Sequence, residues 1–167
     1  ASKQVFCAIK DWGIGYFDGL DFQLINTNKL STKAVIKMEF AASGELLVLF
    51  ENNELYSLAF KTGNEGKKTV SRIELVSNKI KTFEKVSNQK ICIVSTNENA
   101  ILYSLSDKKK QVLPENNIEN IIGKIPEGVV LFGKKGYSII DSTGTIVNKS
   151  WLKYLKNQKI TALIQGS

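Results

Sequence analysis

The sequence predicts an all-β chain made of about four blades of four-stranded antiparallel sheet. Three observations predict it. A unit of two strand-like runs joined by a polar turn recurs along the chain. The tetrapeptide Leu-Tyr-Ser-Leu occurs in the second run of two such units, at residue 55 and again at residue 102. The first run of each unit is apolar at successive positions, as in Leu46-Leu47-Val48-Leu49-Phe50, whereas a half-buried strand would alternate.

The units can be taken in chain order. The first is Val5-Phe6-Cys7-Ala8-Ile9, the turn Lys10-Asp11-Trp12-Gly13, then Ile14-Gly15-Tyr16-Phe17. The second joins residues 46–50 to Leu55-Tyr56-Ser57-Leu58 through Glu51-Asn52-Asn53-Glu54. The third joins Ile91-Cys92-Ile93-Val94 to Ile101-Leu102-Tyr103-Ser104-Leu105 through Ser95-Thr96-Asn97-Glu98-Asn99. The fourth joins Val129-Val130-Leu131-Phe132 to Tyr137-Ser138-Ile139-Ile140 through Gly133-Lys134-Lys135-Gly136. The runs are rich in β-branched and aromatic residues and too short for helices, and the turns carry Asn, Gly and Ser. They read as hairpins over 5–17, 46–60, 91–105 and 129–141.

Each hairpin has flanking strands. Residues 36–40, 80–83 and 118–122 precede one; residues 22–25, 70–75, 110–113 and 145–147 follow one. The four strands of a unit, a to d in chain order, make one propeller blade. The spacing of roughly 38 to 47 residues is that of such blades, and a helical repeat would need a 3.6-residue period that these stretches lack. The blade cores fall near 5–25, 36–75, 80–113 and 118–147 of one domain spanning residues 1–167, and residues 160–164 read as a strand of a further or closing blade. The chain starts in strand b, so the expectation is part of a larger β-propeller; a closed ring of four is the alternative and a β-sandwich the runner-up fold.

The pattern Ile36…Phe40-Ala41-Ala42-Ser43-Gly44-Glu45-Leu46-Leu47-Val48 resembles strand a, a Ser-Gly turn and strand b of the WD40-like β-propeller superfamily. The resemblance covers most of residues 1–165 in a degenerate form. A Gly-His pair cannot occur, because the chain has no histidine. Asp11-Trp12 lies in a b–c turn, in reverse order to the Trp-Asp that ends strand c in that family. The resemblance implies a protein-interaction scaffold.

Composition bounds the chemistry. No apolar run approaches the roughly 20 residues of a membrane-spanning helix. Cys7 and Cys92, the two cysteines, sit in apolar runs and read as free thiols of an intracellular protein, cytoplasmic or nuclear. Without histidine there is no imidazole base, no Ser–His or Cys–His pair and no commonest metal ligand. Nothing calls for a metal, a cofactor or a small-molecule substrate, so the expectation is a non-enzyme. Net charge is +7, and Arg72 is the only arginine. Lysine attracts acidic partners as a point charge and lacks the bidentate geometry of arginine.

The candidate binding residues are therefore lysine clusters. Lys67 and Lys68, with Lys108, Lys109 and Lys110, fall at c–d turns and are expected on one face. Lys134 and Lys135 at a b–c turn, with Trp151, Lys153 and Lys156 in a d–a link, are expected on the other. Each cluster alone also reads as ordinary solvated charge. In the link, Trp151 and Leu155 stand four apart and read more readily as helical packing than as a base-stacking platform. The leading function is a scaffold subunit with protein partners in a larger assembly. Binding of RNA or DNA through the lysine faces is the alternative, and recognition of an anionic membrane is less expected.

Overall fold

The computed structural model describes residues 5–9, 13–17, 21–24, 34–41, 44–60, 68–73, 79–97, 99–147, 152–155 and 160. The chain divides into two compact units, Ala1–Val76 and Ser77–Ser167. In the first unit, β1 (Val5–Ile9), β2 (Gly13–Phe17) and β3 (Phe22–Leu24) form a three-stranded sheet. A four-stranded sheet follows, of β4 (Val35–Phe40), β5 (Leu46–Phe50), β6 (Leu55–Phe60) and β7 (Lys68–Ile73). The second unit holds two four-stranded sheets. One is β8 (Ile80–Lys85), β9 (Lys90–Ser95), β10 (Asn99–Ser104) and β11 (Lys110–Asn116). The other is β12 (Ile118–Ile125), β13 (Gly128–Gly133), β14 (Gly136–Ile140) and β15 (Ile146–Val147), after which comes α1 (Leu152–Leu155). Neighbouring strands are consecutive in sequence and antiparallel throughout.

All four expected hairpins are present, as β1–β2, β5–β6, β9–β10 and β13–β14. The expected flanking strands are present too, and the first sheet begins at strand b among the described residues, as the sequence register requires. The strand expected at residues 160–164 falls outside the described residues except for Ile160, which is not in a strand. Two strands run longer than expected: β11 continues to Asn116 and β12 to Ile125. Pro114 in β11 is compatible with pairing because β11 is the outermost strand of its sheet.

Each strand a carries a register shift just after its first residue, between Val35 and Lys37, Ile80 and Thr82, and Ile118 and Asn120. A bulge at that position adds local twist at the start of each sheet. The repeat thus extends to an irregularity that has no shared residue type to announce it.

The core lies where side chains of adjacent sheets meet. In the second unit, Cys92, Val94, Ala100 and Leu102 of one sheet join Ile118, Val129, Leu131 and Ile140 of the next in a single apolar cluster. The opposite face of the last sheet presents Val130 and Ile139, and these are covered by Leu152 of α1 and by Ile160. Successive residues of β13 therefore point into different clusters, and both are apolar. In the first unit, Ile14 of β2 packs with Leu46, Val48 and Phe50 of β5. Phe6 also meets the ring of Phe40 edge-on at 5.1 Å. Every residue of β5 is buried. Two expected core residues are only half-buried. Phe132 sits near the b–c turn, tilted against the Tyr137 ring at 4.9 Å. Cys7 lies in β1, which pairs only with β2 among the described strands.

Both thiols are free. Burial, with a smaller contribution from the Glu84 carboxylate, pushes the Cys92 thiol up to about 12. Cys7 donates to the Gly15 carbonyl at 3.7 Å. In native protein at mildly alkaline pH, iodoacetamide should label Cys7 and leave Cys92 until unfolding, as read by peptide mass spectrometry; equal labelling of both would contradict the packing. Leu49→Ala should cost about 2–5 kcal/mol in denaturant unfolding, because it empties volume in a fully buried strand. A loss well under about 1 kcal/mol would show that the strand is not enclosed.

Candidate binding surfaces

The antiparallel order puts a–b and c–d turns at one end of each sheet and b–c turns and d–a links at the other. In the second unit the first end carries Lys108, Lys109 and Lys110, all exposed. Lys108 has φ 58, and its turn is closed by Ser104 N–H donating to the Lys109 carbonyl at 2.9 Å. The Asp107 carboxylate accepts from the Lys109 N–H at 3.3 Å, and the Lys109 ammonium lies 3.4 Å from it. The Ser104 hydroxyl foremost, then that N–H, holds the Asp107 carboxyl below its usual range.

The next sheet repeats the device at the same end. Asp141 accepts from the Thr143 hydroxyl at 2.6 Å and from the N–H groups of Thr143 at 2.8 Å and Thr145 at 2.9 Å. The Thr143 hydroxyl is the largest cause that holds the Asp141 carboxyl below its ordinary value. The Lys90 ammonium donates to the Ser142 carbonyl at 2.9 Å, tying the two sheets together.

At the opposite end, Lys134 and Lys135 form an exposed two-residue b–c turn. Gly136 follows with φ 104, a conformation that favours glycine. Gly133 precedes the turn, and a Cβ there would collide with the Asn117 carbonyl. That close approach lets the Lys134 N–H donate to Asn117 at 3.2 Å across the d–a link. Two further lysines, which the sequence reading did not select, share this end: Lys79, just before β8, and Lys81. The Lys81 ammonium donates to the Glu119 carbonyl at 2.6 Å, two residues beyond Asn117. Lys79 accepts at its carbonyl from the Thr96 N–H of the b–c turn at 2.8 Å.

The structure thus brings Lys81 and the Lys134-Lys135 turn to the two sides of one link. Lys153 is exposed on α1, with its ammonium 5.0 Å from the Tyr154 ring centroid. Leu152 of the same helix packs against the cluster that includes Phe132 and Tyr137, and Tyr137 accepts the Ile160 N–H at 2.8 Å. Trp151, Lys156 and Lys67 lie outside the described residues. Lys68 opens β7 in the first unit, whereas Lys108, Lys109 and Lys110 belong to the second.

No protein-family model matches the chain, and no curated protein matches it. Solved structures do. The N-terminal domain of Nup159 matches at 17% identity, over 69% of this chain and 29% of that one, with a TM-score of 0.50. Virginiamycin B lyase from Staphylococcus aureus matches at 12% identity, over 87% of this chain and 51% of that one, with a TM-score of 0.61. The fold is of the β-propeller type. Dihydro-heme d1 dehydrogenase NirN in complex with DHE also matches, at 12% identity over 86% of this chain and 35% of that one, with a TM-score of 0.57. The chain spans between 29% and 51% of the length of these structures. At such identities the likeness is one of fold, and two of the three carry the names of enzymes. Among the described residues no helix is long and apolar enough to cross a membrane.

The Asp141 turn makes a pH prediction. Its folded carboxyl titrates below the ordinary value of 3.8, so its contribution is full above that value and is lost as pH falls through the lower folded value. Asp141→Ala should lower Tm at neutral pH by roughly 2–5 °C, and the difference from wild type should shrink in strong acid. A Tm difference that stays the same in acid would show that the charge does not hold the turn.

Proposed function

We propose that the chain is a non-catalytic protein-interaction scaffold, a subunit of an intracellular multiprotein complex. One observation carries this reading: the apolar residues of the middle strands are spent on packing sheet against sheet, and what the described turns of the second unit offer outward is lysine and short polar side chains. Rigid display of turns suits recognition of a macromolecular surface. The chemistry for catalysis is thin. The chain has no histidine, and its buried thiol is pushed up to about 12, far from a nucleophile at neutral pH. Two free cysteines agree with a reducing compartment.

Nucleic-acid binding is the second reading, favoured by the net charge of +7 and by the exposed Tyr154 beside Lys153. The two separate in one experiment. The full protein is isolated under native conditions, and its mass and its absorbance ratio at the nucleic-acid and protein wavelengths are measured before and after nuclease. The scaffold reading expects a stoichiometric protein complex that survives nuclease. A particle that collapses to the free chain on nuclease treatment would make it a nucleic-acid-binding module, and a free chain throughout would remove the scaffold reading.

A further inference from the structure

We propose that the outward face of the first sheet, carried by Val5, Phe17, Phe22 and Leu24, is the docking surface for an uncharged, aliphatic face of a β-sheet on a partner subunit. This rests on the scaffold reading and locates one contact of the assembly. The register fixes which residues share the face. Val5 pairs with Phe17 and Phe17 with Phe22, while Cys7 pairs with Gly15 and Gly15 with Leu24, which makes two rows across the three strands. Phe6, Ile14 and Tyr16 point to the other side, into the cluster with β5. On the outward side Val5 is 60% exposed, Phe17 43%, Phe22 47% and Leu24 43%.

The repeat shows what such a face is built to meet. The pair that corresponds to Val5 and Phe17 is Leu46 and Leu58 in the second sheet, and Val129 and Ile140 in the fourth. All four are buried. Leu46 and Leu58 share a cluster with Phe6, Ile14 and Tyr16 of the sheet before them, and Val129 and Ile140 with Cys92, Val94, Ala100 and Leu102. In both places the cover is the uncharged face of another antiparallel sheet. The first sheet is suited to the same cover. β1, β2 and β3 contain no charged residue, whereas β7 and β11, outermost like β3, carry Lys68, Arg72, Lys110 and Glu115. The far end of the Phe22 ring rests over Gly15, where a Cβ would collide with it, so the ring lies along the sheet and leaves room for a second sheet at ~10 Å. A contiguous exposed apolar face of this kind marks an interaction site.

The source of the cover follows from what this chain has left to offer. Among the described residues, β5 is buried throughout and β9 from Ile91 to Ser95, and the outer face of the last sheet is taken by Leu152 and Ile160. A second copy would therefore have to meet the face with the same face. Each copy carries a net charge of +7, which opposes self-association, and the face holds no group to offset it. The occupant is a sheet on a different chain, and its docking would bury two phenylalanine rings, which are enriched as interface anchors.

The test replaces Phe22 of the full chain with the photo-cross-linker p-benzoylphenylalanine in its native cells, with Tyr154, 72% exposed, as the control position. The complex is isolated and irradiated, and the cross-linked peptide is sequenced by mass spectrometry. Position 22 should capture a peptide of another chain that reads as a β-strand, rich in Val, Ile and Leu and uncharged at alternate positions. Position 154 should not capture that peptide. Phe17→Lys combined with Phe22→Lys should lower the partner retained by about tenfold or more, and the milder Val5→Lys by a smaller factor. Circular dichroism and Tm confirm that each variant folds. Sedimentation velocity of the chain alone should show a monomer as its concentration rises. No adduct at position 22, an adduct with this chain itself, a captured peptide of helical or charged character, or a dimer that Phe17→Lys dissolves would overturn the proposal. A complex that keeps its partner in the Phe17/Phe22 variant would overturn it while leaving the scaffold reading intact.

Discussion

The rest of the structure depends on strands whose two faces are both buried. A strand in a two-layer protein needs one apolar face. Here β13 sends Val129 and Leu131 into the contact with the preceding sheet and Val130 into the contact with Leu152 and Ile160. The physical consequence is that a sheet of this chain is not self-sufficient. Its middle strands are stable only when something apolar lies against each side, and repetition along the chain supplies that cover. The same constraint explains why every residue of β5 is apolar and buried.

That constraint also decides where polar chemistry can go. With the middle strands given over to packing, the charged groups fall in the turns and in the outer strands, as Lys37 and Glu39 do in β4 and Lys81, Glu84 and Lys85 in β8. The chain spends carboxylates unevenly. Asp107 and Asp141 close c–d turns as hydrogen-bond acceptors for their own backbone, and Asp107 also pairs with Lys109. The b–c turn at Lys134 is closed by glycines and by the Asn117 carbonyl instead.

Much of the fold was legible in the sequence because the repeat is one of hydrophobic runs, and such runs report burial directly. The hairpin at 91–105 could be placed from Ile91-Cys92-Ile93-Val94 and the recurring Leu-Tyr-Ser-Leu alone. What was not legible depends on registry in space. The bulge in each strand a has no residue signature, since Val35, Ile80 and Ile118 are followed by Ile36, Lys81 and Glu119. Phe132 looked like core by its run, yet it lies one residue from the end of its strand, half-buried at the margin of its cluster with its ring against Tyr137. Of the candidate surface, Lys134 and Lys135 were visible as a charged pair in a turn. Lys81 was not selected from the sequence, and its hydrogen bond to the Glu119 carbonyl is what places it beside the link that Lys134 contacts.

The central claim is that the two middle strands of each four-stranded sheet are the enclosed ones. Native-state hydrogen exchange followed by mass spectrometry tests it most directly. Amides of β9, β10, β13 and β14 should exchange slowest in the second unit, with β11 and β15, the outermost strands, opening well before them. Protection of β11 and β15 equal to or greater than that of β9 and β13 would contradict a core built on doubly covered middle strands.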